Sequence, residues 1–210
     1  REMDDGNEDR WTLSFWVKRG EMANHTQILT MGGSNHGIFF SKDSLTDALL
    51  FYNYIGGDKG QLLTTRKFRD PAAWMHLVFV WDSGNATAGN RMRIYVNGVE
   101  ETAFATDTNP DQNQDSQFNV DGDTHYIGRE SGGNYFDGYI AEYVFIDGTV
   151  YAASDFGEFD SDSPTIWKPK DPSGLTFGTN GVWLDFEDSS ALGNDVSGNN
   201  NDFTPANLAA

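Results

Sequence analysis

The chain of 210 residues carries 14 basic and 32 acidic side chains, a net charge of -18, no cysteine and 14% aromatic residues. An acid excess of this size repels phosphate backbones and anionic lipid, which excludes nucleic acid and membrane insertion and favours a cation or a neutral polymer such as a glycan. The lack of cysteine removes disulfide scaffolds and thiolate metal sites, while 38% hydrophobic residues suffice for a buried core.

The length fits one unit spanning 1–210, because all-β sandwiches use roughly 200 to 250 residues for a single core. The apolar runs Ala48 to Tyr52 and Leu77 to Trp81 fall far short of the roughly 20 residues that a membrane-spanning helix needs. The opening Arg1-Glu2-Met3-Asp4-Asp5 has neither an initiator Met nor a charged-then-apolar leader, so the chain reads as a piece of a longer protein.

In chain order, Trp11 to Lys18 alternates Trp11, Leu13, Phe15 and Val17 against Thr12, Ser14, Trp16 and Lys18, which predicts a strand with one face on a core. Weaker strands are expected at Gln27 to Met31, Ile38 to Ser41, Leu49 to Tyr54 and Gln61 to Thr65. Trp74 to Trp81 is apolar on both faces and predicts a central strand covered on two sides. Met92 to Glu101 holds Asn97-Gly98 between two β-prone runs, the signature of a tight hairpin. Tyr126 to Gly128, Tyr139 to Ile146 and Val182 to Phe186 complete about ten strands. A helical turn capped by Ser154 is expected in Ala152 to Phe159. Loops are expected at Asp107 to Asp123, Ser161 to Ser173 and Ser189 to Asn201. The pattern predicts an all-β fold, a two-sheet antiparallel jelly-roll β-sandwich.

The ordered set WTLSFWVKRG, WMHLVFVWD, MRIYVNG and YIGRESGGNYFDGYIAEYVFIDG resembles the laminin-G-like branch of the concanavalin A-like lectin and glucanase superfamily, over roughly Trp11 to Gly157. The stretches Val150 to Gly157 and Gly181 to Pro205 resemble a variant found in marine bacteriophage tail-fibre and virion structural proteins. The resemblance implies a virion-surface or extracellular location, cell-surface glycan or other virion subunits as partners, and a homo-oligomer. The superfamily's Asp-x-Ser-Gly-Asn-Gly-Asn motif sits at Asp195 to Asp202, with Asn200 at the glycine position. Two readings follow for 189–210: an edge strand closing the same sandwich, or a linker to a following domain.

Some relatives are glycosidases, which need two carboxylates about 5 to 5.5 Å apart across the scissile bond for retaining chemistry. The Glu-x-Asp-x-x-Glu strand of such enzymes has its nearest counterpart at Glu158, Asp160 and Ser163, where the second Glu is missing. Glu142 stands alone in its strand. Gly32-Gly33-Ser34-Asn35-His36 breaks the Gly-x-Ser-x-Gly elbow, and the four histidines, His25, His36, His76 and His125, lack zinc-site spacing. His76 matches the family's Trp-x-His strand and is expected to be a packed, hydrogen-bonded residue. The expectation is therefore a non-enzymatic carbohydrate-binding module on a phage virion or tail fibre that recognises cell-surface polysaccharide; the alternative is a purely structural virion domain, for capsid decoration or fibre assembly, without sugar binding.

Calcium is the candidate cofactor, since many superfamily members use it at a sandwich rim and it needs six to eight oxygen ligands. Asn119, Asp121 and Asp123, with Gly122 permitting a bend, are the first candidate ligand set; Asp185, Asp188, Asn194 and Asp195 are the second. For glycan contact, Arg129, Asn134 and Tyr135 offer planar donors and an aromatic face. Trp16, if exposed, is a further option.

Overall fold

The computed structural model describes residues 1–20, 22, 26–31, 36–40, 47–133 and 135–209. Its strands are β1 (Arg10–Arg19), β2 (Thr26–Met31), β3 (Gly37–Phe40), β4 (Ala48–Tyr54), β5 (Asp58–Lys67), β6 (Met75–Asp82), β7 (Met92–Val96), β8 (Val99–Glu100), β9 (Phe104–Thr108), β10 (His125–Ile127), β11 (Gly138–Asp147), β12 (Gly157–Phe159), β13 (Trp167–Pro169) and β14 (Val182–Leu184). One six-stranded sheet runs β14-β11-β1-β6-β7-β8, a second runs β10-β2-β3-β4-β5-β9, and β12-β13 form a separate ribbon. The expected all-β jelly-roll sandwich is the observed fold.

The pleat sends Trp11, Leu13, Phe15 and Val17 of β1 between the sheets, all fully buried. Trp11 stacks on Phe118 with ring centroids 4.4 Å apart and meets Phe51 of the opposite sheet edge-on at 5.6 Å. The outward face of the first sheet is largely covered too. Val78, Val80, Val144 and Ile146 form a second apolar layer with Ala153, Phe156 and Phe177 from the segment after β11. β6 is consequently buried along nearly its whole length, as its two apolar faces predict. Asn97 and Gly98, with φ of 49° and 79°, make the expected β7–β8 hairpin turn.

Several elements depart from the sequence reading. Trp74 lies just before β6 and is 41% exposed, so it does not join the covered face. β9 occupies residues whose alternation is faint, because this edge strand shows most of its side chains to solvent. The ribbon β12-β13 replaces parts of an expected turn and loop. The turn at Ala153–Asp155 is capped by the Asp155 carboxylate, which accepts the Ala152 N–H at 2.8 Å; Ser154 lies inside it and caps nothing. The expected strand at Val182 to Phe186 ends at Leu184, and Phe186 takes a positive φ of 61°.

Beyond Leu184 no strand is present among the described residues, which corrects the edge-strand reading of 189–210. The Asp195 to Asp202 stretch nevertheless bonds to the sandwich. The Asp195 carboxylate accepts N–H groups of Trp183, Ser197 and Asn201 and the Ser197 hydroxyl. Asn201 donates to the carbonyls of Thr179 and Gly181, and Arg1 donates to its Oδ1 at 2.6 Å.

Candidate binding site

The loop from Gly128 to Phe136 carries the chain from β10 in one sheet to β11 in the other. Gly128 adopts φ 76°, which turns the chain, and the Phe136 N–H closes the loop on the Gly128 carbonyl at 2.8 Å. Two bonds fix it to β2: Thr30 Oγ1 donates to the Arg129 carbonyl at 2.8 Å, and Gln27 Nε2 donates to Glu130 Oε2.

This frame presents Arg129 between two rings. Its guanidinium carbon lies 4.7 Å from the Tyr126 centroid and 5.9 Å from that of Tyr135. Nε and Nη2 donate to the Glu130 and Ser131 carbonyls, while no carboxylate pairs with the guanidinium among the described residues. Tyr135 is 60% exposed. The structure therefore brings Arg129 and Tyr135 together and adds Tyr126, which the sequence reading placed in a strand without a role. Asn134 lies outside the described residues.

The first calcium set does not converge. Asn119 is fully buried: Nδ2 donates to the Asn7 carbonyl and Asp147 Oδ1, and Oδ1 accepts from Asn180. A Cβ at Gly6 would meet Asn119 Oδ1 at 2.4 Å, so main chain covers that oxygen and leaves no space for an ion. Asp121 is exposed and Asp123 half-buried, both outside this network. In the second set the Asp195 carboxylate is saturated by the four bonds given above, and Asp188 is engaged by Ser190. Among the described residues no group of three or more His, Asp or Glu side chains is placed to hold a metal.

The outer face of the first sheet holds the remaining candidates. His76 is buried, with Nε2 2.8 Å from Ser14 Oγ and Nδ1 accepting the Trp167 indole N–H at 3.0 Å; burial lowers its pKa to about 4. Trp16 is half-buried against His76 at 5.1 Å between centroids, a packing role. Glu142 sits in a bulge where it and Tyr143 together face Phe15, at a φ of 49°. Burial above all, with Asp185, Glu187 and Asp171 adding, pushes its carboxyl above the ordinary range, against the hydrogen bond from Trp183 at 2.8 Å. The depression that Glu142 lines with Ser14, Trp16 and Lys170 has a volume of about 10 Å³, room for one water. Glu158 and Asp160 both pair with Lys168 at 3.3 Å on the ribbon surface.

The chain belongs to the concanavalin A-like lectin/glucanases superfamily: the Laminin_G_3 family model matches residues 2–154. No curated protein matches the sequence. Among solved structures, the chain is similar to a native heptameric SAP-like pentraxin from Limulus polyphemus, at 15% identity and a TM-score of 0.46, covering 71% of this chain and 69% of that one. It is also similar to domain 4 of AbnA, an extracellular arabinanase from Geobacillus stearothermophilus in complex with arabinotriose, at 20% identity and a TM-score of 0.42, covering 69% of this chain and 64% of that one.

Proposed function

We propose that this chain is a non-enzymatic carbohydrate-binding module that contacts glycan through the Gly128 to Phe136 loop. The observation that carries the reading is Arg129, free of any carboxylate among the described residues and set over both Tyr126 and the exposed ring of Tyr135. Exposed aromatic faces take the C–H side of a pyranose, and guanidinium N–H groups donate to its hydroxyls. Membership of a superfamily of lectins and glucanases supports it. A glycosidase would need a second carboxylate across a substrate-sized groove from Glu142, whose surroundings hold a single water's volume. Placement on a phage virion or tail fibre, facing cell-surface polysaccharide, rests on the resemblance of Val150 to Gly157 and Gly181 to Pro205 to such proteins.

A glycan array tests the reading: binding to a defined subset of glycans without release of reducing ends is expected. No binding to any glycan would overturn it, as would hydrolysis of β-glucan that disappears in Glu142→Gln. A specific observation favours no second class of function over this one.

A further inference from the structure

The layer covering the outer face of the first sheet stops at the row of Trp16 and His76. The next row is more exposed among the described residues. Lys18 of β1 pairs in register with Tyr139 of β11, and its neighbour Val17 pairs with Met75, which sets Trp74 alongside Lys18. Three residues distant in sequence thus stand abreast at the ends of adjacent strands. The Lys18 ammonium lies 4.5 Å from the Tyr139 centroid and 5.7 Å from that of Trp74, and the two rings are 6.3 Å apart at 57°. Trp74 is 41% and Tyr139 59% exposed.

Lys18 has no carboxylate partner among the described residues, whereas Arg1, Arg10, Arg19, Arg66, Arg69 and Lys168 each have one. The Lys18 ammonium makes no side-chain hydrogen bond among the described residues, so its donors stay open beside the two rings. The rings attract the ammonium and fix it beside their own apolar surface, and this combination of flat apolar area and a multiple donor is what a sugar ring uses.

We propose that Trp74, Lys18 and Tyr139 form a second carbohydrate contact on the outer sheet face, taking the C–H face of a neutral pyranose residue on the rings and its hydroxyls on the Lys18 ammonium. Neutrality follows from the net charge of -18, which opposes approach of a polyanion. The inference rests on the glycan-binding reading and extends it to a surface separate from the Arg129 loop. That loop runs directly into β11, so Tyr135 and Tyr139 are four residues apart and one polysaccharide chain touching both gains avidity.

The test is titration of the intact chain with a neutral polysaccharide that it binds, comparing Tyr139→Ala, Trp74→Ala, Lys18→Met and Arg129→Ala, with light scattering for the oligomeric state. Each of the first three variants is expected to weaken binding about tenfold, the order set by one lost aromatic or donor contact, with an unchanged melting temperature. Full affinity in all three, with loss in Arg129→Ala, overturns this second contact and leaves the proposed function standing. Absence of glycan binding by the parent chain overturns both. A change in oligomeric state with unchanged glycan affinity overturns the inference by showing an interface between copies. Preference for acidic over neutral polysaccharide, with binding weakened by salt, overturns the neutral-sugar assignment.

Discussion

Trp167 donates its indole N–H to Nδ1 of His76 across 3.0 Å, and that bond decides what His76 can do. An indole only donates, so Nδ1 of the neutral ring must be the acceptor and the ring proton must sit on Nε2. Nε2 therefore donates to Ser14 Oγ at 2.8 Å, and the ring cannot take the Ser14 proton. A Ser-His pair that resembles half of a hydrolytic triad is a structural hinge pin between sheet and ribbon.

The same burial makes His76 a source of pH dependence. Its folded pKa, about 4, lies below the ordinary value of 6.5, so between these limits the unfolded chain binds more protons and stability rises with pH. The contribution is complete above about pH 6.5 and drains away towards pH 4, up to about 3 kcal/mol. His125, lowered to about 3 by burial first and then by the N-terminus and Arg1, acts in the same direction. His76→Gln, which can keep both hydrogen bonds without titrating, is expected to reduce the slope of the urea-unfolding free energy with pH across this window, leaving the part that His125 supplies. An unchanged slope would contradict the assignment.

Asp47 joins two arginines at the edge of the core. Its carboxylate accepts from Arg19 and from Arg69, each at 3.0 Å, and Arg19 is buried while donating also to the Phe68 carbonyl. Burial alone would raise the Asp47 pKa, and the hydrogen bonds from Arg69 and Arg19 bring it below the ordinary range. Asp47→Ala removes the carboxylate that Arg19 and Arg69 share and is expected to cost about 2 to 3 kcal/mol in chemical denaturation. A loss below about 1 kcal/mol would show that the pair is dispensable.

The Asp195 carboxylate replaces a strand as the fastener of the C-terminal stretch. With four donors on one buried carboxylate, Asp195→Ala strands the Trp183 and Asn201 N–H groups and is expected to lower stability by about 2 to 4 kcal/mol. Limited proteolysis should cut the variant first between Asp185 and Asp202. Equal resistance of variant and parent would contradict this role.

Calcium removal is expected to leave the melting temperature unchanged, because Asn119 is spent on Asn7, Asp147 and Asn180 and its oxygen is covered by Gly6. A ligand bound only by the native state raises its stability, so a fall of several degrees on adding EDTA would restore a metal site.

What the sequence made legible was local. Asn97-Gly98 announces its turn within two residues, and β6 announces its depth through apolar residues on both faces. The ribbon β12-β13 was hidden because Trp167 holds it by docking on His76, Gly98 and Gly157, where an added Cβ would meet the indole at 2.3 and 2.5 Å. Asn119 had the chemistry of a cation ligand, and only its contacts with segments distant in sequence, the Asn7 carbonyl, Asp147 and Asn180, reveal that it braces them together. Arg129 and Tyr135 could be chosen from one loop. Their partner Tyr126, and the row of Lys18, Trp74 and Tyr139, emerge only from strand register, although Lys18 falls on the outward face of a strand the alternation already predicts.

The most direct test of the central claim is affinity for an array-selected glycan in the parent chain, Arg129→Ala and Tyr135→Ala. The account predicts that each substitution weakens binding at least about tenfold while the melting temperature holds, since both side chains act at the surface. Undiminished binding in both variants would contradict the placement of the glycan on the Gly128 to Phe136 loop.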